Sequence, residues 1–271
     1  MADVSACFER MKALAEYENQ YQFGEATRFV MPGYCVACGW GNLIVKDYGK
    51  SPPPWRETAL CCCGMNTRMR TVLDWLLSRE GASSDARIYC TEATTSFFRS
   101  LSRLYRNAVG SEYIADRIAP GRTDDRGVLC QNIESLTFPD NTFDYIVTLD
   151  VLEHVFSYQS ALSELLRVLK PGGVALITVP FRWDEERTVQ RARLNGQTVE
   201  HLLPPAYHGD PIRKSGALVT YDYGWDLVRT MQNLGWRDSV FIHVWCEAKK
   251  YFGRNFILRA VKPLTPGPAR G

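Results

Sequence analysis

The chain has 271 residues, 45% of them hydrophobic and 23% charged, which excludes a disordered or collagen-like polymer and allows one large domain with a small appendage. Its 32 basic and 30 acidic residues leave a net charge of +2, so bulk charge gives nucleic-acid binding no support. The longest largely apolar run, Val174 to Phe181, is far short of the roughly 20 residues that cross a bilayer, so no membrane span is expected.

In chain order, residues 1–24 read as a helix with Phe8, Met11, Leu14 and Ala15 on one stripe, ended by Gly24. Residues 31–66 lack periodicity and are rich in Gly, Pro and Cys. Pro52 to Pro54 forbid a helix interior there. A helix from Thr67 follows, its apolar face made by Met69, Val72, Leu73, Leu76 and Leu77, and Gly81 closes it. Strands are then expected at 86–90, 107–114, 143–150 and 174–180. Helices are expected around Phe97–Tyr105, at 160–170 and at 223–234. Pro171-Gly172-Gly173 stops the second of these helices. Residues 182–216 read as an irregular insertion, and strands at 238–246 and 255–262 as an antiparallel pair. The pattern divides the chain into a helical segment 1–30, a cysteine-rich module with its connecting helix at 31–80, an α/β domain at 81–262 and a disordered tail at 263–271. Alternating strands and helices imply a mostly parallel sheet covered on both faces, with ligands at the carboxyl ends of its strands.

There are nine cysteines, an odd count, and the N-terminal residues lack a signal-peptide core; both point to a reducing cytoplasm. Five of them lie between 35 and 63. Cys35 and Cys38 form a C-x2-C knuckle followed by glycine, and Cys61-Cys62-Cys63-Gly64 lies about 22 residues on. Two such pairs suit a tetrahedral, structural zinc. Two of the three consecutive cysteines must serve, and Cys61 with Cys63 best keeps both sulfurs on one side. An iron–sulfur cluster, or reduced thiols packed as small apolar groups, are the alternatives. Arg68 and Arg70 after the cluster read as a solvated helix face, with phosphate contact as the rarer meaning.

The segment TFPDNTFDYIVTLDVLEHV, followed by ALSELLRVLKPGGVALITVPF, resembles class I S-adenosylmethionine-dependent methyltransferases, specifically the ubiquinone/menaquinone-biosynthesis type. The carrying residues are Phe143, Asp144, Val147, Asp150, Glu153, His154 and Arg167 to Gly173. The resemblance covers about fifty residues closely, and residues 85–262 in element order. The later HLLPPAYHGDP and YDYGWDLV resemble a less-studied bacterial subgroup that also carries a cysteine-rich N-terminal segment ending in an Arg-rich helix. The family fold would be a Rossmann-like, seven-stranded α/β sheet of order 3-2-1-4-5-7-6 with strand 7 antiparallel, here with a small zinc-ribbon-like N-terminal module.

The resemblance implies S-adenosylmethionine as cofactor and in-line methyl transfer to an acceptor. It places Glu112, beside Tyr113, on the ribose hydroxyls, which a carboxylate can accept together. It places Asn132 and Ile133 on the adenine, Asp150 and His154 near the methionine part, and Glu92 in the acidic position after the first strand. The loop after that strand, IYCTEATTSFF, has no glycine where relatives are glycine-rich. Thr94 and Thr95 resist positive φ and are candidates to cap the next helix.

The region after the fifth strand would lie over the methyl group. Its candidates are His201, His208 with Asp210, and the aromatics Phe181, Trp183 and Tyr207, with Tyr221 and Asp222 beyond. His208, between Tyr207 and Gly209, is the expected general base or substrate-orienting group, with His201 second. The expectation is a cytoplasmic methyltransferase acting on a small-molecule acceptor, with a protein partner or homo-oligomer left open. The rivals are a non-catalytic protein of the same fold that docks through its zinc module, and a nucleic-acid methyltransferase.

Overall fold

A computed structural model describes residues 4–21, 28–46, 53–114, 117–209, 212 and 215–264. The chain divides into two compact units, residues 1–82 with 242–257, and 83–241 with 258–271. The first helix ends at Glu18, with a turn at 19–20, short of the expected stop at Gly24; Gly24 and the tail beyond residue 264 lie outside the described residues.

The first unit opens with α1 (Val4–Glu18). An antiparallel hairpin follows, β1 (Arg28–Cys35) and β2 (Gly39–Lys46), paired from Arg28 with Lys46 to Cys35 with Gly39. A one-turn helix α2 (Trp55–Thr58) leads into the short β3 (Ala59–Leu60), which adds to β2. Helix α3 (Thr67–Ser78) is capped by Asn66, whose side chain accepts from the Met69 amide. Val72, Leu73 and Leu76 are buried as the spacing predicts.

Arg70 is the exception to a solvated basic face. It is 0% exposed. Its Nη1 donates to the Tyr34 carbonyl at 2.6 Å and its Nη2 to Thr67 Oγ1 at 3.1 Å, so α3 turns a cation inward.

Residues 242–257, expected to continue the α/β domain, belong to this first unit because their aromatic side chains are buried in it. Phe252 packs on Trp55 at 5.2 Å and Trp245 on Tyr17 at 5.6 Å, both edge to face. The buried Glu18 carboxylate accepts from Trp245 Nε1 at 2.9 Å and from the Gly253 amide at 2.7 Å. Burial, against the Gly253 carbonyl that favours the proton and with Arg10 adding to the effect, holds the His243 imidazole down to about 4.

An unfolded histidine titrates near 6.5, so His243 is neutral in the folded unit while the unfolded chain takes up a proton between the two values. Its stabilising contribution is complete above about 6.5 and lost as pH falls through about 4, roughly 3 kcal/mol in all. His243→Gln should flatten that part of the stability–pH profile of the first unit. An unchanged slope between pH 6.5 and 4 in the variant would show that other groups carry it.

The second unit holds a six-stranded sheet. Its chain-order elements are β4 (Ile88–Cys90), α4 (Ser96–Leu104), β5 (Ala108–Gly110), β6 (Phe143–Leu149), α5 (Tyr158–Val168) and β7 (Leu169–Thr178). The insertion folds into two-stranded ribbons. Strands β9 (Ala192–Asn195) and β10 (Thr198–His201) make one; β11 (Tyr207–His208) and β12 (Ala217–Leu218) make another. In the third, β8 (Val189–Gln190) pairs with β13 (Tyr221–Asp222). Helix α6 (Asp226–Asn233) and strands β14 (Arg237–His243) and β15 (Phe256–Val261) complete the order.

The sheet order is β14-β15-β7-β6-β4-β5. Strands β4, β5, β6 and β7 run parallel and β15 runs antiparallel to β7, so the sheet is mixed and Rossmann-like. Seven strands were expected; among the described residues six are paired in this sheet. Among the described residues the outer position beyond β5 holds a single parallel bridge, between Glu112 and Cys130. Polar turns on either side, closed by Asp124 and Asn132, keep the segment 117–136 from running as a strand.

Strand β7 also starts earlier than expected, at Leu169, and runs through Pro171-Gly172-Gly173. Gly172 takes φ of +78°, and the register against β6 shifts between Phe143 and Tyr145. Among the described residues no helix is long and apolar enough to cross a membrane.

Candidate functional site

In the first unit the Sγ atoms of Cys35, Cys38, Cys61 and Cys63 all lie within 4.8 Å of one another. The Cys35 and Cys63 sulfurs are 3.8 Å apart. Four sulfurs about 2.3 Å from a tetrahedral ion stand about 3.8 Å from each other, so the set has the spacing of a zinc cage. Two tight turns build it. The Cys38 amide bonds the Cys35 carbonyl at 3.1 Å, and the Gly64 amide bonds the Cys61 carbonyl at 2.8 Å. Gly39 and Gly64, each one residue past a knuckle, take φ of +80° and +86°, where a side chain would be strained. Cys62 is exposed and outside the set, although its sulfur is 3.8 Å from that of Cys61. Burial, with the thiols of Cys63 and Cys61 nearby, pushes the Cys35 thiol up to about 12. Burial also raises Cys63, but the Met65 amide and the neighbouring thiols outweigh it and lower the thiol on balance, so the cluster favours a thiolate there.

In the second unit Glu92 follows β4, Glu112 and Tyr113 follow β5, and Asp150 and His154 follow β6, while Asn132 and Ile133 lie in the segment between β5 and β6. The glycine-free loop needs no positive φ, because none of residues 91–95 adopts one. Glu112 holds it. Its Oε1 accepts from the amides of Ala93 and Thr94, both at 2.9 Å, and from Thr94 Oγ1 at 2.8 Å. Thr95 alone caps α4: its Oγ1 accepts from the Phe98 amide at 3.2 Å and donates to Glu92 Oε1 at 2.5 Å. Thr94, expected to share the capping, is instead tied to Glu112. Gly110, at the end of β5, is required by packing. A Cβ there would lie 2.6 Å from the Phe98 ring and 2.7 Å from the Glu92 carbonyl oxygen.

Glu92 and Glu112 are each 8% exposed, whereas Tyr113 is 53% exposed. Asn132 closes its own turn, its Oδ1 accepting from the Glu134 amide at 3.0 Å, and Ile133 beside it is buried. Asp150 takes φ of +54° past the end of β6, and its Oδ1 accepts from Thr178 Oγ1 at 2.8 Å.

The turn after Asp150 carries a residue that the sequence reading used only as part of a motif. Glu153 is fully buried, and its Oε1 lies 3.5 Å from His208 Nδ1 and 3.8 Å from His154 Nε2. The two imidazole rings meet at 88° with centroids 5.2 Å apart. His208 is thus brought to the motif turn from 54 residues downstream. Burial raises the Glu153 carboxyl, opposed by the histidines.

His201 is exposed at the end of β10, opposite Ala192, and stands outside this cluster. Phe181 and Trp183 are buried, Phe181 stacking on Phe241 at 3.8 Å, so they pack the unit's core; Tyr207 is 58% exposed. Tyr221 donates to the Phe156 carbonyl at 2.8 Å and Asp222 pairs with Arg191 at 2.7 Å. Asp210 lies outside the described residues.

A family profile described as a methyltransferase domain matches residues 91–177. A demethylmenaquinone methyltransferase from Anoxybacillus flavithermus is 33% identical over 113 residues, 41% of this chain and 39% of that protein. A ubiquinone/menaquinone biosynthesis C-methyltransferase from Hydrogenovibrio crunogenus is 37% identical over 67 residues, 22% of this chain and 26% of that protein. The chain spans between 20% and 39% of the length of such curated relatives. Among solved structures, a SAM-bound amino pentose methyltransferase from Micromonospora echinaspora superposes with a TM-score of 0.46 at 16% identity, covering 79% of this chain and 92% of that one. Residues 91–177, which include β5, β6, nearly all of β7, the Glu112-tied loop and the Asp-x-x-Glu-His turn, are therefore similar to a methyltransferase domain.

Proposed function

We propose that this chain transfers a methyl group from S-adenosylmethionine to a small-molecule acceptor, with the cofactor lodged past the carboxyl ends of β4, β5 and β6. The observation that carries the reading is Glu112, a buried carboxylate at the end of β5 inside the segment that matches the methyltransferase domain. The loop converges on its Oε1 alone, which leaves Oε2 to accept from ribose hydroxyls. When bound, S-adenosylmethionine supplies an electrophilic methyl group on its sulfonium.

The chain's own residues bind and align. Glu112 fixes the ribose, with Tyr113 alongside, while Asn132 and Ile133 flank the adenine. Glu92 and Thr95 set the start of α4, whose amides face the methionine carboxylate. Asp150 and His154 border the methionine part. On the acceptor side, His208 orients the acceptor or takes its proton, with His201 at the outer rim. Cys35, Cys38, Cys61 and Cys63 hold a structural zinc, whose four thiolates leave no open position for chemistry.

The test is cofactor binding. S-adenosylhomocysteine should raise the melting temperature of the purified chain. Glu112→Gln keeps an acceptor for the loop but loses the charge, and should weaken cofactor affinity about ten- to a hundredfold, with the fold intact by circular dichroism. Unchanged affinity in that variant would overturn the ribose assignment. No stabilisation of the parent would favour the non-catalytic docking protein instead.

A further inference from the structure

The Glu153 carboxylate is 0% exposed, and neither of its oxygens has a hydrogen-bond partner of ordinary geometry. A buried carboxylate in that condition is strongly disfavoured unless a positive charge meets it. What faces it is two imidazole nitrogens. His208 Nδ1 is 3.5 Å from Oε1 and His154 Nε2 is 3.8 Å from it. Both separations are long for a hydrogen bond. They suit three ligand atoms around one ion, since atoms bound at about 2.1 Å in tetrahedral geometry stand about 3.4 Å apart.

The hydrogen bonding prepares the nitrogens for this task. His154 Nδ1 lies 2.8 Å from the Leu218 carbonyl and must donate to it. The neutral ring therefore presents a lone pair at Nε2, toward Glu153, and ligating histidines are commonly oriented through the opposite nitrogen in this way. The ribbon of β11 and β12 supplies both parts: His208 pairs with Ala217, and the next residue, Leu218, gives the carbonyl. The turn is clamped too. Thr220 bonds the Glu153 carbonyl through its amide at 2.6 Å and its hydroxyl at 2.8 Å, and Tyr223 Oη donates to the Leu152 carbonyl at 2.7 Å. The side chains of His154 and His208 are 19% and 40% exposed, which leaves a route for an ion and a coordination position open to solvent.

We infer that Glu153, His154 and His208 form a second metal site, taking a divalent first-row transition ion through one carboxylate and two imidazoles. The ligand set excludes the soft-thiolate preference of the cysteine cluster and is poorer in oxygen than magnesium or calcium require. With the ion bound, His208 is a ligand and cannot also remove the acceptor's proton. Its contribution to methyl transfer is then orientation of an acceptor oxygen or nitrogen at the open position. The metal site itself does not depend on the methyl-transfer reading.

The experiment uses the full chain with its cysteine cluster saturated with zinc, titrated with manganese(II) and followed by the electron-spin signal of the free ion. The expected result is one manganese bound per chain, displaced by further zinc. Glu153→Gln should abolish binding, and His208→Ala, at a partly exposed position, should weaken it at least tenfold. Equal manganese binding by the parent and His208→Ala would overturn the site. So would no binding by the parent, with a pH-dependent melting temperature that His208→Ala removes, because that pattern is a plain Glu153–His208 ion pair. Cofactor affinity measured on the same samples reports separately on the methyltransferase reading.

Discussion

Stripping zinc from the chain, or replacing Cys63 with serine, is expected to unfold the cysteine-rich part of the first unit before any other. The four sulfurs within 4.8 Å of one another tie β1, the β1–β2 turn and the turn after β3 into one point. The two residues of β3 and the single turn of α2 add little regular hydrogen bonding of their own. A structural zinc bound by such a module contributes on the order of 10–16 kcal/mol near neutral pH, as large as the whole stability of a typical domain. Amide exchange should therefore rise first in residues 28–46 and 59–78, while β6 and β7, bonded mainly to each other, keep their protection. Elemental analysis should find zinc in the parent at about one per chain, and Cys62→Ser should leave it in place because Cys62 lies outside the set. A parent without zinc and with four freely titrating thiols would sink this expectation. Loss of zinc in Cys62→Ser rather than in Cys63→Ser would instead reassign the ligand.

Much of this arrangement was legible in the sequence, and the parts that were not have identifiable causes. Helix α3 follows from Val72, Leu73 and Leu76 at helical spacing, and β6 and β7 from apolar runs that the sheet buries. The C-x2-C knuckle and the glycines after each cysteine group are local signals, set by short-range spacing alone. The β1–β2 hairpin was missed because RFVMPGYC and GWGNLIVK carry Pro32, Gly33 and Gly41 within strands, where strand propensity is weak. The return of 242–257 to the first unit is a tertiary choice that its strand-like pattern does not encode. Thr94 and Thr95 are equivalent by composition. Only the fold brings Glu112 within reach of Thr94 and leaves Thr95 to cap α4. Glu153 stood in the motif yet gained its meaning from His208, which no spacing rule connects to it. Phe181 and Trp183 read as pocket-lining aromatics, but large rings fill cores more often than they wait for ligands.

Arg70→Met is expected to destabilise the first unit by about 3–5 kcal/mol, and by more than Arg68→Met two residues earlier. The sequence treats the two arginines alike, but the structure separates them. Arg68 makes a partly exposed pair, its Nε donating to Glu57 Oε1 at 3.0 Å and its Nη2 to Oε2 at 3.2 Å, with the arginine side chain 12% and the glutamate side chain 42% exposed. Water reaches the glutamate end of that pair. Arg70 is fully buried, and its guanidinium gathers acceptors that water cannot reach: the carbonyls of Tyr34 at 2.6 Å and of Lys249 and Lys250 at 3.4 Å, with Thr67 Oγ1 at 3.1 Å. It also lies over the Tyr251 ring at 5.3 Å. Burial lowers its pKa, and Tyr251, Cys35, Cys61 and Cys63 oppose that. A zinc held by four thiolates carries a net charge of about −2, so a buried cation beside it offsets part of that charge. Methionine matches the stem but removes the donors to the Tyr34 and Lys250 carbonyls and leaves the cluster uncompensated, so the variant should lose both stability and zinc affinity. Denaturant melts of the zinc-loaded parent and the two variants, with zinc release followed by a chromogenic chelator, separate the contributions. Equal destabilisation by the two substitutions, or unchanged zinc affinity in Arg70→Met, would show that Arg70 packs as an inert stem and takes no part in holding the cluster.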